Sequence, residues 1–265
     1  MLIPFSKYQG AGNDFILIDD RSCRFPIEDE ELIKRLCFRN FGIGADGLIL
    51  LQSSLSADFR MRIFNADGKE ASMCGNGLRC LIAYIKDLGF SKELFRIETE
   101  SEVFQCTSSG GKVSVTLSPP AVLHWGVKLQ EGSILDEIFV VDTGVPHAVV
   151  FVEDLDSCPV DTWGKELRHH PKFSPSGVNV NFAKVSSDGT ARVRTYERGV
   201  EGETLACGTG GAATAFVLFQ KDGGKAPIRV MPKSGEGLEF SIKDPSKEIE
   251  MQGSAEFVFE GRITV

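Results

Sequence analysis

One short motif occurs twice in this chain, and it restricts the fold more than any other feature. Ser72-Met73-Cys74-Gly75-Asn76-Gly77 is nearly copied by Leu205-Ala206-Cys207-Gly208-Thr209-Gly210, so Cys-Gly-x-Gly stands once in each half. Both copies run into helix-compatible segments, 78–86 and 212–220. Glycine leaves its backbone N–H unshielded, and a helix start presents several such groups together with a partial positive charge. Each thiol is therefore expected beside an anion site, where a thiolate forms more easily.

The motifs belong to a longer internal repeat. Gly12-Asn13-Asp14-Phe15-Ile16-Leu17-Ile18 precedes the first cysteine and Gly144-Val145-Pro146-His147-Ala148-Val149-Val150 the second, at spacings that differ by a single residue. An insertion within Gly199-Val200-Glu201-Gly202 accounts for the difference. Nearer the cysteines, Arg60-Met61-Arg62-Ile63-Phe64-Asn65 matches Arg192-Val193-Arg194-Thr195-Tyr196-Glu197, both alternating as half-buried strands do, and Glu70 and Glu203 hold the same place before their cysteines. Such a chain folds as two copies of one unit: strands, a surface helix, more strands, a central helix opened by the cysteine, and closing strands. Helices are predicted over 29–38, 76–86, 162–169 and 209–221, and strands over 47–51, 113–117, 138–141, 178–184 and 255–259. Ser118-Pro119-Pro120 ends the preceding strand pattern and marks the boundary, giving halves 1–118 and 119–253. The expected class is α+β, strand-rich, with one buried helix per half.

Composition narrows the function. A chain of 265 residues can bury a full core. Its net charge of −8, with no cluster of Lys and Arg, argues against nucleic acid and for a small-molecule partner. The first residues lack a basic segment followed by a long apolar run, and the apolar stretches 148–152 and 212–219 are too short to cross a bilayer, so a cytoplasmic protein without membrane contact is expected. Seven widely spaced cysteines, an odd number, fit reduced thiols better than a disulfide framework. Most read as small buried hydrophobes, and only Cys74 and Cys207 have surroundings that suggest chemistry.

With the copies related by an approximate two-fold axis, Cys74 and Cys207 are expected to approach one cavity from opposite sides. A ligand carboxylate would accept hydrogen bonds from the amides of Gly75, Asn76, Gly208 and Thr209. The neighbouring carbon would then lie between the sulfurs, one thiolate removing its proton while the opposite thiol delivers another. Configuration inverts with no metal and no organic cofactor. The demand is severe, because a thiol with a pKa of about 8.5 is a modest base for the α-proton of an amino acid. The amide cradle answers it by stabilising developing charge and by lowering the pKa of one thiol, leaving a thiolate and a thiol at rest.

At these residues the chain resembles the diaminopimelate epimerase family. The resemblance rests on Gly10-Ala11-Gly12-Asn13-Asp14-Phe15, Gly42-Ile43-Gly44-Ala45-Asp46-Gly47, Phe64-Asn65-Ala66-Asp67-Gly68, Met73-Cys74-Gly75-Asn76-Gly77-Leu78-Arg79-Cys80, Val178-Asn179-Val180, Glu197-Arg198-Gly199 and Gly202-Glu203-Thr204-Leu205-Ala206-Cys207-Gly208-Thr209-Gly210. It implies a cofactor-independent epimerase interconverting LL- and meso-diaminopimelate, with Cys74 and Cys207 as the acid/base pair. It also implies a homodimer and two pseudo-symmetric halves, each a strand-rich roll or barrel around a central helix, with strand 254–265 returning to the first half. On matching positions, Gly75, Asn76, Gly208 and Thr209 would hold the reacting carboxylate. Asn13, Asn65, Asn179, Glu197 and Arg198 would read the distal zwitterion, Arg198 forking onto its carboxylate and Glu197 accepting from its ammonium. His147 and Glu197 would orient and tune the thiols. Two departures bear on specificity: Val145 stands where the family often has Asn, and Gly47 where some members have Gln. Val145 offers no hydrogen bond, so the distal pocket is expected to be loosened toward shorter acids such as glutamate or aspartate.

Other readings of the motifs fit less well. Gly208-Thr209-Gly210-Gly211-Ala212-Ala213 imitates a dinucleotide fingerprint, but no parallel-strand run precedes it and no second βαβ unit follows. The Lys-Ser/Thr of a phosphate loop is missing, and Cys74 to Arg79 is one residue short of a cysteine-phosphatase loop. Cys74 and Cys80 lack a second pair at ligand spacing, and adjacent His169 and His170 would face different ways, so no metal site is expected. Two other functions stay open. One is a further cofactor-free racemase of this fold, for glutamate or aspartate or of the proline racemase kind, against which Glu197-Arg198-Gly199 speaks. The other is a non-catalytic carboxylate-binding or redox-responsive module.

Overall fold

The alternating runs of both halves fold as strands, and the apolar segments behind each Cys-Gly-x-Gly fold as helices. The structure, a computed structural model, describes residues 2–129, 137–244, 246 and 248–264. The chain divides into two units, Met1–Val115 with Gly253–Val265, and Thr116–Gln252, with both boundaries falling inside strands that are assigned to the unit holding most of their residues.

The first unit contains β1 (Leu2–Gly10), β2 (Asn13–Asp19), α1 (Glu30–Cys37), β3 (Gly47–Gln52), β4 (Phe59–Asn65), β5 (Glu70–Ala71), α2 (Gly75–Asp87), β6 (Leu94–Glu98), β7 (Val103–Ser109) and β8 (Lys112–Leu117). Strand β2 runs antiparallel to β1 and parallel to β3; β4 is antiparallel to β3 and β5 and parallel to β6; β7 is antiparallel to β6 and β8. The second unit contains β9 (Ala121–Val127), β10 (Ile138–Asp142), β11 (Pro146–Phe151), α3 (Val160–Arg168), β12 (Asn179–Val185), β13 (Ala191–Glu197), β14 (Gly202–Thr204), α4 (Gly208–Lys221), β15 (Ile228–Met231), β16 (Leu238–Ile242) and β17 (Ile249–Ser254). Its pairings repeat those of β1 to β8 in the same order and sense from β10 to β17. A final strand, β18 (Glu256–Thr264), lies antiparallel on β1, the place that β9 takes on β10. The two halves are thus pseudo-symmetric, each a roll of strands around a helix.

The alternation of side chains along each strand sorts the core into two layers. In the first unit Ile16, Ile18, Leu48 and Leu50 pack with Leu32, Ile33 and Leu36 of α1. In the second, Ala148, Val150, Val180, Phe182 and Tyr196 pack with Val160 and Leu167 of α3. The intervening positions, Phe15 and Ile49 or His147 and Asn181, are left for the central helix. The outer helices read as amphipathic, and α1 is started by Asp29, whose carboxylate accepts from Leu32 N at 2.9 Å, with Glu30 and Glu31 in its first turn and Lys34 and Arg35 in its last. Helix α3 comes down on β13 at Gly164, where a Cβ would stand 2.5 Å from that of Tyr196.

The central helices need no polar face. Helix α4 buries every residue from Gly210 to Phe219, and α2 buries every residue from Gly75 to Ile82. Arg79 is the buried charge on α2, and its Nε donates to the Ser254 carbonyl at 3.2 Å, tying the helix to the chain that returns as β18.

Candidate active site

Both cysteines occupy the N-cap of a central helix. Cys74 has φ −147° and ψ 118° before α2, and Cys207 has φ −127° and ψ 110° before α4. These extended conformations let the next residues enter the helix with their N–H groups pointing outward along its axis. Both thiols are partly exposed, whereas Cys37, Cys80, Cys106 and Cys158 are buried. Burial pushes the thiols of Cys37 and Cys106 up to about 12, so they remain protonated.

In the first unit, Cys74 Sγ accepts from Gly77 N at 3.4 Å and lies 3.8 Å from Asn13 Oδ1. Asn13 Oδ1 also accepts from Asn76 Nδ2 at 3.2 Å. The orientation of Asn13 is set from behind, because its Nδ2 donates to Asp46 Oδ2 at 2.8 Å and a carboxylate can only accept. Asp46 is held in turn by Arg39, which forks onto Asp14 at 2.9 and 2.7 Å and reaches Asp46 Oδ1 at 2.9 Å, while Lys7 Nζ lies 2.8 Å from Asp14. Asn65 is exposed at the end of β4, opposite Gly47. Gly47 is a glycine for a local reason: a Cβ there would sit 2.6 Å from the Phe64 carbonyl oxygen.

The ion network gives this half-site a pH signature. Burial alone would raise the Asp14 carboxyl, but its hydrogen bonds with Arg39 and Lys7 outweigh burial and hold it at about 2. A carboxyl held below its unfolded value stabilises the fold above about pH 4 and loses that contribution as pH falls toward about 2. Asp14→Asn is expected to lower stability at neutral pH and to flatten the fall in stability across this acid window, as read from urea midpoints at a series of pH values.

In the second unit, Cys207 Sγ lies 3.5 Å from Thr209 Oγ1. Thr209 Oγ1 is 2.9 Å from His147 Nε2, and Thr143 Oγ1 donates to the Thr209 carbonyl at 3.0 Å. His147 is fully buried, and burial first, then the charge of Arg198, pushes it down to about 3, so the ring is neutral near pH 7. Its Nδ1 is 3.2 Å from Asn181 Nδ2. Asn179 spends both ends of its amide on main chain: Oδ1 accepts from Arg198 N at 2.8 Å and Nδ2 donates to the Pro146 carbonyl at 3.2 Å. Glu197 Oε1 accepts from Thr204 Oγ1 at 2.5 Å, and Arg198 Nη1 donates to the Ser176 carbonyl at 3.3 Å. Val145 turns into β11 with its carbonyl accepting from Thr143 N at 3.2 Å.

The candidate residues fall into these two clusters: Asn13, Gly75 and Asn76 gather at Cys74 with Asn65 at the nearby strand end, and His147, Gly208 and Thr209 gather at Cys207 with Asn179 on β12, Glu197 at the end of β13 and Arg198 in the turn after it. A matching ion pair backs each motif, Arg62 with Glu70 at 2.7 and 2.6 Å and Arg194 with Glu203 at 2.7 and 2.9 Å. Asn181, Thr195, Asp46 and Arg39 escaped the sequence reading. Asn181 had a signal, since the alternation of β12 puts it on the same face as Asn179. Among the described residues no group of three or more His, Cys, Asp and Glu is placed to hold a metal ion.

A family model described as Diaminopimelate epimerase matches residues 5–123 and 139–258. A protein from Aquifex aeolicus named diaminopimelate epimerase is 40% identical over 274 aligned positions, covering 99% of this chain and 98% of that protein. One of the same name from Chlorobaculum tepidum is 41% identical over 262 positions, covering 97% of this chain and 99% of that protein. Among solved structures, a phenazine biosynthesis protein of the PhzF family from Bacillus anthracis superposes over 100% of both chains with a TM-score of 0.79 at 17% identity, a likeness of fold.

Proposed function

Because the chain belongs to the diaminopimelate epimerase family, we propose that it interconverts LL- and meso-diaminopimelate by passing protons between the α-carbon and the thiols of Cys74 and Cys207. The observation that carries this reading is the repeated N-cap cysteine: each sulfur sits at the positive end of a buried helix, beside outward-facing glycine-rich amides.

One thiolate takes the α-proton from one face, and the opposing thiol gives its proton to the other. Negative charge leaves the first sulfur, spreads over the α-carbon and carboxylate, and ends on the second sulfur. The amides of Gly75, Asn76, Gly208 and Thr209 stabilise the carboxylate as that charge develops, in a manner typical of oxyanion sites. Arg198 and Glu197 supply opposite charges for the distal zwitterion, with Asn13, Asn65 and Asn179 completing the polar surroundings. His147 stays neutral and acts through Thr209. The same reading carries a homodimer and a cytoplasmic location; among the described residues no helix is long and apolar enough to cross a membrane.

The test is proton NMR of the purified protein with LL-diaminopimelate in D2O. Deuterium is expected at a single α-carbon, with meso product accumulating in step. Binding without deuterium uptake would refute the reading. Relaxed specificity is a separate expectation. Val145 offers the distal end no hydrogen bond, so slow racemisation of glutamate or aspartate is expected at high enzyme concentration, followed by circular dichroism. Gly47 adds nothing to it, since the Phe64 carbonyl occupies the space a side chain would need.

A further inference from the structure

The two units share one plan, yet the strands packed behind their central helices differ in chemistry. Equivalent strand registers make Phe15 the counterpart of His147, Ile49 of Asn181, and Ile63 of Thr195. The helix contacts agree: a Cβ added to Gly77 would meet Ile49 and Ile63, and one added to Gly210 would meet Asn181. At this position one central helix packs on hydrocarbon and the other on a polar triad.

Within that triad every hydrogen-bond direction is determined. The Ala148 carbonyl can only accept, so Asn181 Nδ2 faces it at 3.0 Å and turns its second hydrogen to His147 Nδ1 at 3.2 Å. Thr195 Oγ1 donates to Asn181 Oδ1 at 3.0 Å, which locks the amide the same way round. A neutral ring that accepts at Nδ1 carries its proton on Nε2, and that proton goes to Thr209 Oγ1 at 2.9 Å. The Thr209 oxygen has then accepted, and its own hydrogen is available to Cys207 Sγ at 3.5 Å.

We propose that Asn181 is a positioning residue which, through the Nε2–H tautomer of His147, aims the Thr209 hydroxyl at Cys207 and holds that sulfur in its thiolate form. A donor directed at the sulfur favours the anion, as any hydrogen bond to a charged form does. The first unit has no counterpart of this relay, because Phe15 and Ile49 stand in its place. The relay acts on Cys207 and not on Cys74, and it is a sequence asymmetry by which a symmetric fold distinguishes its two sulfurs. The catalytic meaning of the relay rests on the acid/base role of Cys207 proposed above, but the relay itself does not need turnover to be tested.

The experiment follows iodoacetamide alkylation of each cysteine peptide by mass spectrometry across pH, because the midpoint reports thiolate fraction while access changes only the plateau. Thr209→Val and Asn181→Leu are each expected to raise the Cys207 midpoint by about one unit, a tenfold loss of thiolate below it, and to leave the Cys74 midpoint unchanged. Thr209→Ser keeps the hydroxyl and is expected to keep the wild-type midpoint. Glu197 and Arg198, the charged groups at this end of the unit, remain in place in all three variants. On the unaltered protein, nitrogen-15 NMR is expected to find His147 neutral with its proton on Nε2 throughout about pH 5 to 8. An unchanged Cys207 midpoint in Thr209→Val, equal shifts at both cysteines, or an Nδ1–H ring would each overturn the relay. Undiminished epimerisation by Cys207→Ser would instead overturn the acid/base reading and leave the relay standing.

Discussion

Cys74→Ser and Cys207→Ser are each expected to lower epimerisation by about 10²- to 10⁴-fold, the range in which a positioned acid or base contributes. Serine fits the same N-cap, and at position 74 it can accept from Gly77 N as the thiol does, so the fold is retained while the proton carrier is lost. A hydroxyl is a far weaker acid than a thiol and does not rest as an anion beside these amides. The two variants are also expected to differ in kind from a wholly dead enzyme. Each keeps one sulfur, so exchange of the α-hydrogen with D2O on that face falls less than inversion does. Measuring both rates on LL- and on meso-diaminopimelate separates the two faces. Turnover undiminished in either variant is the outcome that would sink the two-base mechanism.

Gly210→Ala is expected to cost more stability than Gly77→Ala, although the two glycines hold equivalent positions. The added methyl at Gly210 would lie 2.2 Å from Asn181 Oδ1, an atom pinned by Thr195 and by the bonds of its own amide to Ala148 and His147. At Gly77 it would meet the Ile49 and Ile63 Cδ1 atoms at 3.0 and 3.1 Å, and such methyl ends turn aside with little loss. Overpacking against a fixed group costs about 1–3 kcal/mol, so a fall in melting temperature of several degrees is expected for Gly210→Ala and a smaller one for Gly77→Ala. Epimerisation should fall further in Gly210→Ala, because Asn181 must move and carries the His147 ring with it. Equal unfolding midpoints for the two variants would contradict this account.

Much of the architecture was legible because it is written twice. A strand alternation or a glycine turn met once is ambiguous, but Arg60-Met61-Arg62 and Arg192-Val193-Arg194, each followed by a glutamate and then a cysteine, constrain one another. The four predicted helices form within about two residues of their expected ends, and the strand predicted at 255–259 is the start of β18. The placing of both cysteines at the start of a helix was legible for the same reason. The supports behind them were not. Lys7, Arg39, Asp14 and Asp46 come from three separate segments, and nothing local says that they converge on Asn13. Asn181 was hidden differently: in a strand whose neighbours are Val180 and Phe182 it reads as an interruption, and only the packing of Gly210 against it reveals why a polar residue is buried there. Asn179 carries a part that its motif does not announce, since its amide also bonds the backbone of Pro146 and Arg198 and shapes the turn that presents Arg198.

The pairing of β18 with β1 has a consequence for how the chain is made. The residues of the second unit emerge from the ribosome as one uninterrupted stretch and can assemble as soon as β17 is available. The first unit begins earlier but stays open along β1 until residues 256–264 have been translated. Its exposed edge is a surface for mispairing throughout that interval, and strands left open in this way are where nascent chains stick to one another. The half translated first is therefore the half completed last.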